Sequence, residues 1–193
     1  MDNKATILRC ALDLFYAKGY DGAGIQEIVD AAGITKPTLY YYFGSKKGLL
    51  EQVLAVYYTI LEEQIDQVIQ QKRQVPEMLY EIAQAFFDFG FHNRKFYLLM
   101  LALFYSGRES EGFKAVYPLV QRFCKKVVGV FDQASDQLGN MNGRQKDFAI
   151  GFIGILDHHL MLMNQDLGDD EVTAISNEQT YRIVHQFMYG IFS

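Results

Sequence analysis

Apolar residues recur along this chain at helical spacing, and short polar or glycine-rich stretches interrupt them. Ile7, Leu8, Ala11, Leu12, Leu14 and Phe15 put one apolar face on a helix over residues 4–18, with Gly19 as its C-terminal stop. Ile28, Val29 and Ala32 do the same for a short helix over residues 25–32. Gly33 turns the chain into a second short helix, Lys36–Phe43, in which Leu39 and Phe43 lie four apart and share the inward face. Thr35 is positioned as its N-cap, with a hydroxyl able to accept from a free first-turn N–H. Pro37 suits the first turn, where a missing N–H matters little. Gly44 ends this helix, and Ser45 can cap the next.

The remainder reads as longer helices. They run from Ser45 to about Gln71, over residues 77–91, from Arg94 to Tyr105, and from Phe113 to Leu138 with Pro118 as a kink or boundary. Gly139 to Gly143 is a loop. The next helix, Arg144 to Gln165, is apolar nearly all round from Phe148 to Met163, so it must be covered on several sides. An acidic loop follows, and Asn177 is positioned to cap a last helix over residues 178–192. No stretch alternates with a strand's period. The expected class is all-α: three small helices, then a larger bundle, about nine helices in total.

Composition changes this picture little, but charge changes it usefully. Half of the 193 residues are hydrophobic, which excludes a disordered chain. The net charge of −5 argues against a general nucleic-acid coat protein. The charge is uneven, however: residues 1–50 carry six Lys/Arg and five Asp/Glu, whereas residues 51–193 carry twelve and eighteen. Cys10 and Cys124 read as small buried hydrophobes in a reducing compartment. The opening residues lead straight into an amphipathic helix, not a signal peptide. The most apolar run, Ala149 to Leu156, is too short to span a bilayer. A soluble cytoplasmic protein is expected.

A two-turn helix such as Lys36–Phe43 cannot stand alone and must be held by its neighbours. Two short helices joined by a glycine turn, behind a longer supporting helix, make a helix-turn-helix, whose second helix enters the major groove of DNA. At these residues the chain resembles the TetR family of bacterial transcriptional regulators. The resemblance lies in residues 4–50: Phe15-Tyr16-Ala17-Lys18-Gly19-Tyr20, Ile25-x-x-Ile28, Ala32-Gly33-Ile34-Thr35, and above all Thr38-Leu39-Tyr40-x-Tyr42-Phe43-x-Ser45-Lys46. Two positions depart from the family pattern. Gly24 stands where Thr or Ser is usual, at small cost in a cap. Gly48 stands where Glu is common, which is expected to weaken the local helix start.

The resemblance implies a division of labour on DNA. Thr35, Tyr40, Tyr42 and Lys46 would hold phosphates. Lys36, Pro37, Thr38 and Tyr41 would approach base edges, with Gln26 reaching the groove or its wall. The chemistry agrees. Lysine donates to guanine O6 or N7, and the Pro and Thr carbons suit thymine methyls. Tyrosine hydroxyls donate to phosphate, and Lys46 adds its charge to the free N–H groups of a helix start.

The resemblance also implies a ligand pocket and a homodimer. A pocket for a small apolar or aromatic effector would draw on Phe86, Phe89, Phe96, Met100, Phe104, Tyr117, Phe123 and His158. Periodicity does not separate such residues from plain core. The last two helices would pair with their copies through Phe152, Leu156, His159, Met163, Ile183, Phe187 and Ile191, matching a two-fold operator.

The implied organisation is a DNA-binding domain over residues 1–46 and a ligand and dimerisation domain over 47–193. No GxSxG, P-loop, GxGxxG or Glu-x-x-His pair is present. His158 and His159 are adjacent, so on a helix they point about 100° apart and share a metal poorly. No catalytic residue, metal or cofactor is expected. The expected function is a repressor that binds a palindromic operator in double-stranded DNA and is released by its effector. Two alternatives remain at this point: a regulator without effector, and a helical-bundle enzyme or lipid carrier.

Overall fold

A computed structural model describes residues 3–71, 73–135, 138, 141–165 and 174–190. The described residues form nine helices and no strand: α1 (Asn3–Gly22), α2 (Ile25–Ala32), α3 (Lys36–Phe43), α4 (Lys46–Gln70), α5 (Val75–His92), α6 (Arg94–Phe104), α7 (Glu111–Gln133), α8 (Gln145–Gln165) and α9 (Asn177–Tyr189). None of them is long and apolar enough to cross a membrane. The all-α class and the element order follow the apolar periodicity closely.

Helix ends differ from the reading in informative ways. The backbone of α1 leaves helical geometry at Gly19, as expected, but one more turn follows to Gly22. α5 starts at Val75 because Pro76 sits in its first turn. Pro118 lies inside α7, which begins earlier than expected, with Ser110 Oγ accepting from Phe113 N at 3.0 Å. The cap of α9 is Ser176, not Asn177: Ser176 Oγ accepts from Gln179 N at 3.1 Å, and Asn177 is already helical. Gly139, Asn140, most of the acidic loop and Phe192 lie outside the described residues.

The chain divides into two compact units, each discontinuous in sequence. The first comprises residues up to 59 together with 95–120, and the second comprises 60–94 with 121 onward. The functional boundary expected at residues 46/47 falls inside the first of these units. In the first unit, Ile7, Ala11 and Phe15 of α1, Ile28 and Val29 of α2, Leu39 of α3, and Leu49, Leu50 and Val53 of α4 are all buried. Burial of a leucine such as Leu39 stabilises by about 1.5–3 kcal/mol, and this holds the two-turn α3 that propensity alone cannot.

The second unit packs α5 against α8 and α9. Its core includes Phe86 and Phe87, Phe131, Phe152, Leu156 and Leu160, and Ile183 and Val184. Arg122 pairs with Glu62 at 2.6 Å, and Lys126 with Asp66 at 2.6 Å, tying α7 to the second half of α4.

Candidate nucleic-acid interface

Each functional side chain of α3 is aimed by what its opposite face buries. Leu39 and Phe43 point inward, so Lys36, Pro37, Tyr40, Tyr41 and Tyr42 are turned outward and exposed. Tyr41 is 85% exposed, an extreme for so large an aromatic, and its ring meets that of Tyr42 edge-on at 5.4 Å. Thr38 is half-buried and Thr35 exposed. The turn feeding α3 depends on Gly33, whose φ of 65° is left-handed and suits glycine.

Thr35 does not cap α3 with its side chain, as the sequence led us to expect. Its hydroxyl instead shares a 2.9 Å hydrogen bond with that of Thr38. The competing partner is one turn away on the same face, and the pairing leaves first-turn N–H groups of α3 free for an anion. Gln26 is exposed on α2, and its Nε2 donates to Asp30 Oδ1 at 2.7 Å. Lys18 pairs with Glu27 and clamps α2 to α1. The Lys18 hydrogen bond, with a second from Gly24 N, holds the Glu27 carboxyl below its ordinary range.

The start of α4 completes the face. Ser45 Oγ accepts from Gly48 N at 2.9 Å and caps the helix, as expected. Gly48 is more than a weak helix start. A Cβ there would lie 2.1 Å from the Phe43 carbonyl oxygen, so the residue lets α4 close against the end of α3. Gly48→Ala gains about 1 kcal/mol in helix propensity. The forced backbone shift, about 1–3 kcal/mol, outweighs it. A lowered unfolding midpoint together with weaker DNA binding is the expected result, measured by thermal melts and a binding titration. An unchanged midpoint would show that the α3–α4 junction yields freely.

Lys46 is half-buried. Its Nζ lies 4.6 Å from the centroid of the Tyr20 ring and donates to the Asp21 carbonyl at 3.3 Å. Nothing in the local sequence pattern signals the proximity of Tyr20 to Lys46.

The eight residues expected around an effector fall in both units. In the first, Phe96 is buried and stacks on Tyr57 at 5.0 Å, and Met100 is half-buried. Phe104 and Tyr117 each stack on Phe113, at 6.0 and 5.0 Å. In the second, Phe89 is buried, Phe86 and Phe123 are buried and stacked at 5.7 Å, and His158 is exposed. Tyr117 and His158 therefore face outward, unlike the walls of an enclosed pocket. A separate cavity of about 520 Å³ opens in the second unit, with Val75, Leu79, Phe131, Phe148, Phe187 and Met188 among its walls. Apart from Phe187, expected at the dimer interface, none of these residues was given a site role by the sequence reading.

Three of the residues expected at a dimer interface pack inside the chain's own second unit. Phe152, Leu156 and Ile183 are buried within the second unit itself and have no surface to give a partner. Phe187 packs on Phe152 at 5.1 Å. His159 and Met163 are half-buried, and Ile191 lies outside the described residues. Burial, with the neighbouring His158, holds the His159 imidazole below its ordinary range. The apolar surface of α8 and α9 is instead Ile150, Leu162, Tyr181 and Tyr189, with Gly151, Gly154 and His158 on the same exposed side of α8.

Known proteins match this arrangement. Residues 7–53 match the model of the bacterial regulatory proteins of the tetR family. The HTH-type transcriptional activator FasR of Mycolicibacterium smegmatis is 28% identical over 182 residues, covering 90% of this chain and 78% of FasR. The icaADBC negative transcriptional regulator IcaR of Staphylococcus aureus is 29% identical over 134 residues, covering 68% of this chain and 70% of IcaR. The transcriptional regulator FadR of Bacillus subtilis, solved in complex with stearoyl-CoA, shares the fold: TM-score 0.79 at 16% identity, covering 97% of this chain and 98% of FadR.

Proposed function

Because this chain belongs to the TetR family of bacterial regulatory proteins, we propose that it is a cytoplasmic repressor, acting by binding and not by catalysis. It engages a two-fold operator as a homodimer and leaves it when an effector with an apolar chain binds. The observation that carries the DNA reading is the outward set Lys36, Tyr40, Tyr41 and Tyr42 over buried Leu39 and Phe43. Solvent-exposed tyrosines in that density have no packing role, and phosphate and base edges give their hydroxyls partners. The sign of regulation follows IcaR, a negative regulator.

The effector reading rests on two supports. FadR, which shares this fold, binds stearoyl-CoA. The 520 Å³ cavity of the second unit has an aromatic and aliphatic lining, and its volume falls within the roughly 300–1,000 Å³ usual for small-molecule sites. An effector shifts the population toward a dimer whose reading helices are wrongly spaced for successive major grooves. α4 transmits the change, with Lys46 at its DNA end and Gln70 in the second unit.

The test is a fluorescence-anisotropy titration of the full chain on a duplex selected from a random pool, with acyl-CoAs of graded chain length. Operator affinity is expected to fall about 5- to 150-fold at the preferred length. Equal affinity at every length would reject the effector while leaving the DNA reading intact.

A further inference from the structure

Three residues far apart in sequence meet in the first unit. The Tyr20 hydroxyl donates to Glu111 Oε2 at 2.6 Å. Lys46 Nζ sits over the same ring, 4.6 Å from its centroid, and donates to the carbonyl of neighbouring Asp21. The ring itself is fixed: it is buried and lies 5.4 Å from Phe15. One aromatic thus links the first turn of α7 to the first turn of α4.

The link has an electronic side. A hydrogen bond to a carboxylate is charge-assisted and draws the phenol toward phenolate character. That enriches the π face and strengthens its hold on a cation. Burial, with Glu111 next, keeps the phenol well above its ordinary range, so it remains a donor throughout physiological pH. An ammonium has three donors, and the ring face and the Asp21 carbonyl leave one for a further acceptor. A lysine already seated loses less rotamer freedom when a phosphate arrives. The connection between α6 and α7 is not packed solid here: Ser106 and Ser110 wall a cavity of about 220 Å³ together with Tyr20 and Asp21.

We propose that Glu111 is a positioning residue for operator binding. Through the Tyr20 hydroxyl it seats the Lys46 ammonium where a phosphate meets it, and displacement of the start of α7 unseats it. The α7 start is thereby a second point, besides α4 itself, at which the DNA contact is set. This rests on the reading of Lys46 as a phosphate contact.

The sign of one substitution separates this role from a bland one. Glu111→Gln removes a negative charge near DNA, which by electrostatics alone leaves operator affinity unchanged or raised. The proposal requires the opposite. In anisotropy titrations of the full chain on the selected duplex, Glu111→Gln and Tyr20→Phe each weaken binding about five-fold. Neither has a further effect in a Lys46→Met background, because both act through that lysine. Tyr20→Phe keeps the buried ring, and circular dichroism checks that each variant is folded. Glu111→Gln binding as tightly as the parent, or losses that persist in the Lys46→Met background, would overturn the proposal. If Lys46→Met alone binds normally, the phosphate reading fails and the positioning role falls with it.

Discussion

Lys46→Met weakens binding to every duplex, specific or not, and flattens the salt dependence. Lys46 opens α4 at the edge of the face formed by α3, half-buried and seated over Tyr20. The proposed homodimer presents it twice. Loss of two phosphate contacts reduces the slope of log affinity against log salt by about 1.8 and affinity itself by about 10- to 100-fold near 0.1 M salt. Lys36→Ala behaves differently. Lys36 is exposed on the outer face of α3, and its loss alters the preferred sequence more than the affinity for random DNA. Anisotropy titrations at four salt concentrations measure both effects. An unchanged slope for Lys46→Met would remove Lys46 from the interface.

Ile150→Glu or Leu162→Glu is expected to dissociate the proposed homodimer. These residues are 51% and 46% exposed on α8, unusual for large aliphatics, and lie twelve positions apart on a common side. Gly154 on the same side has open space around it and leaves room for a second helix to approach. Tyr181 and Tyr189 add the exposed aromatic surface of α9, and both rings meet that of His185 at a tilt, at 5.6 and 4.5 Å. In a two-fold interface each substitution enters twice, and an unpaired buried charge costs about 3–5 kcal/mol. Sedimentation velocity at micromolar concentration is expected to show monomer, with operator binding lost in parallel. A dimer that survives both substitutions would place the interface on another surface.

Helix α3 was legible because its information is local. Leu39 and Phe43 four apart, Gly33 and Gly44 at the turns, and Pro37 in the first turn define α3 without reference to the rest of the chain. Buried Leu39 and Phe43 then fix which tyrosines face outward. Gly48 was misjudged because its role depends on the Phe43 carbonyl, a neighbour that propensity does not represent. Thr35 and Asn177 were misassigned as side-chain caps because an adjacent hydroxyl, Thr38 in one case and Ser176 in the other, offered a competing arrangement.

The larger helices were legible as elements but not as surfaces. α8 is apolar nearly all round, so periodicity does not say which side meets its own unit and which is left over. Phe152 and Leu156 went inward against α5 and α9, and Ile150 and Leu162 stayed out. The aromatic residues of α5 and of α7 to α9 pose the same problem. Phe86 and Phe123 stack as core, and Phe131, Phe148 and Phe187 border open space. Long-range contacts settle such choices. Tyr20, Lys46 and Glu111 are the clearest case, three ordinary residues whose meeting no spacing rule foretells.

Hydroxyl-radical footprinting of the full chain on its selected duplex tests the central claim most directly. A dimer reading two half-sites protects two patches related by a two-fold axis, about 10 base pairs or a whole multiple apart from centre to centre. Saturating acyl-CoA of the preferred length abolishes both patches together. Uniform protection, or a single patch indifferent to the acyl-CoA, would contradict the account of a dimeric, effector-released repressor.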